Sequence, residues 1–184
     1  MLKYIKLFIV VLALVFYSCN KKENAKTGEG NNGEFKWSET VSADKIPDFP
    51  LKGMMNGKPV KIEYINFEKW RGSGDNVINF GDKKPDQNCG FVDNDNAIHL
   101  TRKAGNFIKG EFVKDSFSKN SEGISAEFHY TIETNMKKVT VPWNCALEIT
   151  EIGDKTVKGK IAICFKDETK SWIAGMFEAV ICAN

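Results

Sequence analysis

The residues best equipped for chemistry in this chain are its five cysteines and two histidines, and their spacing limits what that chemistry can be. Cys89, Cys145, Cys164 and Cys182 include no pair spaced Cys-x2-Cys or Cys-x4-Cys, the knuckle in which zinc ligands usually come, so no metal site is expected. His99 lies between Ile98 and Leu100, and His129 between Phe128 and Tyr130; each is expected as an outward-facing strand residue rather than a ligand or base. Asp93, Asp95 and Asn96 begin like a calcium loop. Ile98 stands where that loop needs glycine and Ala104 where it needs glutamate, so a turn is expected instead. Of the four tryptophans, Trp70 adjoins Arg71-Gly72 and Trp143 follows Pro142. Exposed indoles stack on sugars, which makes Trp70, Arg71 and Trp143 the binding candidates, although the core is the expected place of each of the four tryptophans. No motif calls for a cofactor.

Cys19 stands in a different setting. Lys3 and Lys6 precede an apolar run from Leu7 to Tyr17, and Ser18 and Cys19 close it. A positive flank, a short apolar stretch and a small residue at the boundary form a signal peptide, and the run falls short of the ~20 residues a spanning helix needs. Phe16-Tyr17-Ser18-Cys19 resembles the lipobox of bacterial lipoproteins, with Phe16 where leucine is usual and Tyr17 where a smaller residue is usual. The resemblance implies cleavage before Cys19, acylation of Cys19 by diacylglycerol and a palmitate-type chain, and a place in the bacterial cell envelope on the periplasmic or surface side. Two or three acyl chains hold a protein on a membrane where one does not. From Asn20 to about Glu34 no large apolar residue occurs, so this stretch is expected to be a flexible tether. The expected division is a signal peptide over 1–18, a tether over 19–34 and one folded domain over 35–184.

With Cys19 committed to lipid, four cysteines remain, an even number suited to disulfides in an oxidising compartment. A hairpin turning at Gly153–Thr156 sets Cys145 nearly opposite Cys164, which favours that bridge by distance. Cys145, however, shares a face with Leu147 and Ile149, whereas Cys164 lies opposite to Ile163 and Phe165. Matching the apolar faces puts the sulfurs on opposite sides, and only a bulge near Ile152 would reunite them. Cys164 and Cys182 are too far apart along a regular hairpin. The expected pairing is Cys89 with Cys182 and Cys145 with Cys164, with reduced, buried cysteines as the alternative.

Asn88-Cys89-Gly90-Phe91-Val92 resembles the cysteine segment of the NlpC/P60 cell-wall peptidases, although the serine of that segment is missing and Asn88 replaces its aspartate. The resemblance implies a Cys89 nucleophile with His129 as base and His99 second. That family seats its cysteine at a helix N-terminus, and the residues after Cys89 here form no amphipathic helix, so the field that lowers a thiol pKa is missing. An enzyme is therefore not expected.

The elements that must position these residues are strands. Asn56-Gly57 predicts a type I′ hairpin between Leu51–Met55 and Val60–Trp70, and in the second arm Ile62, Tyr64 and Asn66 share one face. Arg71–Gly74 and Asp93–Asn96 read as turns, and strand-like runs recur to Cys182 with polar turns at Gly153–Lys155 and Lys166–Lys170. The ending VKGKIAICFKDETKSWIAGMFEAVIC resembles the closing hairpin of small β-sandwich lipoproteins. The expected fold is all-β, a single antiparallel sandwich or barrel of about eight strands. Thirteen phenylalanines supply a core, and a lead-in from Phe35 to Phe49 packs as an extended edge or a short helical turn.

Beyond the two lysines of the signal, 24 basic and 24 acidic residues balance, which excludes a nucleic-acid partner and a polybasic lipid patch. The expected function is a membrane-anchored, non-enzymatic binding module holding a protein or glycan through loops 81–96 and 135–144. The alternatives are a cysteine hydrolase built on Cys89 and His129, or a periplasmic immunity or inhibitor protein.

Overall fold

The computed structural model describes residues 34–182 apart from 88, 91, 93, 133 and 134. The expected signal peptide, most of the tether and Cys19 lie outside the described residues. The described chain forms eleven strands: β1 (Lys52–Met55), β2 (Lys58–Lys61), β3 (Tyr64–Lys69), β4 (Asn76–Gly81), β5 (Ile98–Arg102), β6 (Gly110–Lys114), β7 (Ile124–Ile132), β8 (Asn135–Val139), β9 (Trp143–Ile152), β10 (Thr156–Phe165) and β11 (Trp172–Cys182). They make one sheet in the order β6-β9-β10-β11-β3-β4-β5-β7-β8, with the β1–β2 hairpin attached to β11. The sheet curls into a half-barrel.

The all-β expectation holds, with eleven strands among the described residues against about eight expected, and one of the additional strands has a local cause. The arm expected as one strand over Val60–Trp70 breaks at Ile62-Glu63, where Ile62 N–H still donates to Leu51 O but Glu63 N–H donates to Gly81 O. The chain changes partner there, from β1 to β4. Asn56 and Gly57 both adopt positive φ, 50° and 74°, as a type I′ turn requires. The sheet is also not wholly antiparallel, because β3 pairs in parallel with the end of β11, Asn66 to Val180 and Glu68 to Cys182.

Alternation sorts the side chains. Ile65, Ile78, Phe80, Ile98, Leu100, Phe128, Leu147, Ile161, Ile163 and Phe165 fill the inner face. On the outer face of β9, β10 and β11 the registered residues are Ala146, Ala162 and Ala174. This row of methyl groups leaves room for the lead-in, which lays Val41 and Ile46 across it. The lead-in is both extended and turned: Thr40 bridges to Ser116, and Ala43–Lys45 is one 3₁₀ turn. Trp37 donates from Nε1 to Phe165 O at 2.7 Å, and Asn144 donates from Nδ2 to Ser38 O at 3.1 Å.

One expected bridge is absent: Cys145 and Cys164 are free and buried. Beside the hairpin turn Val157 faces Ile152 and Lys158 faces Glu151, but Gly159 faces Ile149, so Thr150 is an extra residue in β9. Its hydroxyl donates to Lys158 O at 3.1 Å within this bulge. Continued without the bulge, the register would set Cys145 against Cys164 and mismatch the apolar faces. The bulge corrects the faces instead, so that Ile163 meets Cys145 and Cys164 meets Asn144. Cys145 ends in the inner core and Cys164 on the alanine row.

Gly159 is packed too closely for a side chain: a Cβ there would lie 2.3 Å from Glu148 O and 2.8 Å from Phe177 Cζ. Gly159→Ala is expected to lower stability by about 1–3 kcal/mol in urea unfolding, and an unchanged midpoint would show that this part of the sheet is less tightly packed than described.

Candidate functional site

On β3, β4, β5 and β7 the residues that alternate with the core are polar. Asn66 faces Asn79, Asn79 faces His99, and His99 faces Glu127, one per strand in register on the outer face. Asn79 Nδ2 donates to Asn66 Oδ1 at 2.6 Å, which leaves Asn79 Oδ1 as an acceptor. His99 Nδ1 lies 2.6 Å from that oxygen, so the imidazole carries its proton on Nδ1. Asn66 Nδ2 in turn donates to Gly90 O at 3.0 Å. At the other end the His99 and His129 ring centroids are 4.8 Å apart. His129 Nε2 lies 3.9 Å from Glu127 Oε1, and Lys138 of β8 pairs with Glu127 Oε2 at 2.5 Å.

This stripe is buried, although it faces away from the core: Asn66, Asn79 and His99 are fully enclosed, and His129 is 5% exposed. The two histidines are outward-facing, as expected, but they are buried, and described residues of the segment 82–97 pack over this face as a roof. Val92 packs with Tyr64 and Ala97. Asn96 N–H donates to His129 O at 2.9 Å and His129 N–H to Ala97 O at 2.8 Å. The roof is bound to the sheet by the Cys89–Cys182 disulfide, which spans 93 residues of chain. Gly81 lets the roof descend, since a Cβ there would meet Val92 Cγ1 at 2.7 Å. Burial, then repulsion from His129 and Lys138, pushes the His99 imidazole down to about 3.

The other sequence candidates separate. Cys89 is exposed at a bend, with its sulfur committed to Cys182, and none of the described residues from 89 to 97 is helical. Burial pushes the Cys164 thiol up to about 12 and raises that of Cys145 further, so neither is a nucleophile at neutral pH. Arg71 is exposed and Trp70 half-buried at the β3–β4 turn, but Trp143 is a core residue, 8% exposed. Trp143 opens β9 on the same face as Cys145 and Leu147, and its indole lies under the Lys114 ammonium at 5.1 Å. The loop expected over 135–144 is largely strand, with Asn135–Val139 forming β8.

Sequence reasoning missed Asn79 and Lys114. Lys114 is 5% exposed, and its ammonium donates to Ser116 O, Phe117 O and Trp143 O at 2.8, 3.2 and 2.5 Å. Burial lowers its pKa. Asparagine inside a strand run, at Asn66 and Asn79, was the available signal, since it is a poor strand former whose amide needs partners.

Together these features define a disulfide-clamped all-β half-barrel with a roofed polar stripe on its outer face. The chain matches no known family model, no curated protein and no solved structure.

Two outcomes are expected. Between pH 6.5 and about 3 the unfolded chain binds the His99 proton that the folded chain refuses, so stability should fall as pH falls, by up to about 1.4 kcal/mol per pH unit. Thermal midpoints across pH 4–7 measure this, and His99→Asn should flatten the slope. Cys89→Ala with Cys182→Ala should cost about 2–5 kcal/mol and raise amide exchange first within residues 82–97. Uniform exchange changes across the domain would contradict a roof held by the bridge.

Proposed function

We propose that the chain is a lipid-anchored, non-enzymatic binding module of a bacterial cell envelope, held at Cys19 and engaging a protein or glycan partner. The observation that carries this reading is the Cys89–Cys182 bridge. A bridge of this kind persists in an oxidising compartment, which is where a lipobox signal delivers a protein. The same bond occupies the sulfur on which the peptidase alternative depends.

The geometry also favours one working end. The described chain enters beside Trp172, where Phe35 stacks at 5.2 Å, and β11 runs from there to Cys182 at the opposite end. That far end carries exposed Ile108, Ile152 and Val180, together with the Trp70-Arg71 turn. At the same end is a cleft of ≈ 300 Å³ lined by Phe67, Phe107, Ile181 and the exposed Ile152. Exposed apolar side chains around a cleft mark an interaction surface. A flexible tether of about 15 residues gives a reach of roughly 20 Å, enough to hold this end away from a bilayer.

Cys19→Ser should abolish metabolic labelling with an alkyne analogue of palmitate and move the chain from the membrane pellet to the soluble fraction. In the same cells iodoacetamide should modify Cys89 only after reduction. An unchanged pellet would remove the anchor, and alkylation of Cys89 in the untreated protein would return the hydrolase to consideration.

A further inference from the structure

A second concavity, distinct from the stripe and from the far cleft, lies where the described chain begins. It encloses ≈ 510 Å³, within the range of ~300–1,000 Å³ typical of small-molecule sites, and Phe35, Phe49, Met54, Pro59 and Trp172 form its apolar walls. Lys52 stands at its rim, its ammonium 4.5 Å from the centre of the Phe49 ring. Alternation in the β1–β2 hairpin explains the lining. Met55 and Val60 turn into the core, whereas Lys52, Met54, Pro59 and Lys61 share the other face, Lys52 directly opposite Lys61 and Met54 opposite Pro59.

Two lysines directly opposite one another repel, and such a pair is usually relieved by an acid nearby. Neither Lys52 nor Lys61 forms an ion pair among the described residues. The carboxylate that lines the cleft, Glu34, pairs with Lys36 at 3.5 Å, and Asp48 pairs with Lys160 at 3.3 Å. Lys52 at the rim, and Lys61 opposite it on the same face of the hairpin but outside the lining, are therefore two cations with no ion pair among the described residues, beside aromatic and aliphatic walls. A ligand that satisfies both parts has a hydrocarbon tail and an anionic head.

We infer that this cleft binds an acyl chain with a carboxylate or phosphate head, the tail against Phe35, Phe49 and Trp172 and the head on Lys52 and Lys61. The ligand's source is a free fatty acid or an anionic phospholipid. Glu34 lines the cleft, so the proposed tether would hold it close to a bilayer; that point alone rests on the anchor, and the cleft's chemistry does not.

The test uses the full chain carrying Cys19→Ser, which has no acyl chain of its own to fill the cleft. Palmitate is titrated against tryptophan emission, with spin-labelled stearate as a contact quencher for Trp172, and vesicles of phosphatidylglycerol or of phosphatidylcholine are tested by co-sedimentation. The expected result is saturable binding of one acyl chain per protein. Lys52→Glu with Lys61→Glu, both exposed positions, should weaken it at least about tenfold while the thermal midpoint stays unchanged. Methyl palmitate, which lacks the charge, should bind with a similar loss. Palmitate binding without vesicle binding identifies the free acid as the source. Selective sedimentation with phosphatidylglycerol identifies the bilayer. The inference is overturned if neither ligand binds saturably, if the double variant binds both as tightly as the native chain, or if methyl palmitate equals palmitate. Because the chain tested is already free of the anchor, none of these outcomes bears on acylation at Cys19.

Discussion

Strand β11 has one edge against β10 and a second edge that must satisfy three different partners, and the half-barrel depends on how that second edge is divided. Its first residues pair antiparallel with β1, Trp172 to Met54 through Ala174 to Lys52, and its last residues pair parallel with β3. Between them the lead-in fills the gap, with Met176 N–H donating to Phe49 O at 2.7 Å and Leu51 N–H donating to Met176 O at 3.1 Å. Gly175 makes the handover possible: at φ 136° its backbone suits glycine, and a Cβ would lie 2.5 Å from Phe49 O. A side chain there would push the lead-in away, and the β1–β2 hairpin and the β3–β8 wing would lose their common support. Both the acyl-sized cleft and the roofed stripe hang from this one edge.

The stripe imposes a second constraint. Two asparagines and two histidines on the outer face would be unremarkable in water, but under a roof each amide and ring must find partners, since a partly satisfied buried network costs more than an apolar one. The roof itself cannot be held by hydrophobic burial. Its sequence from 81 to 96, GDKKPDQNCGFVDNDN, is almost wholly polar, and among its described residues Val92 is the one large apolar side chain that is fully buried. A covalent tie replaces the missing apolar area, which is why the bridge joins the roof to the sheet rather than one core strand to another. Cys182 lies beside Glu68 in register, and burial raises the Glu68 carboxyl pKa.

Much of this was legible in the sequence because period-two alternation states which residues face the core. The β9–β11 meander shows it best: Ile161, Ile163 and Phe165 point inward, and the small residues between them already announce a face that something must approach. Asn56-Gly57 fixed its turn for the same local reason. What resisted reading was not local. The Thr150 bulge carries no signature of its own, and it decides whether Cys145 meets Cys164 or Ile163. The parallel β3–β11 contact joins strands more than a hundred residues apart, a pairing that turn signals cannot reveal. Trp143 is a binding candidate in sequence because it follows a proline, yet that proline only precedes a strand whose first side chain points inward. His99 and His129 obeyed the expected alternation, but their burial depends on a loop covering them, and loop placement follows from a disulfide rather than from periodicity.

Coverage of the outer face narrows where this chain can meet other molecules. On the β9–β11 side the lead-in closes the alanine row, and on the β3–β7 side the clamped roof closes the stripe. Edge strand β8 carries Lys137 and Lys138, and edge strand β2 carries Pro59 between lysines, devices that discourage pairing with another strand. Two of the openings among the described residues lie at opposite ends of β11. The near one has Lys52 at its rim and lies where the described chain begins, and the far one is lined by Phe67, Phe107, Ile152 and Ile181. A single sheet thus separates the cleft proposed for an acyl ligand from the end proposed for a protein or glycan partner. That separation follows from the direction of β11: the strand that carries the lead-in and β1 at its start reaches β3 and the disulfide only at its finish.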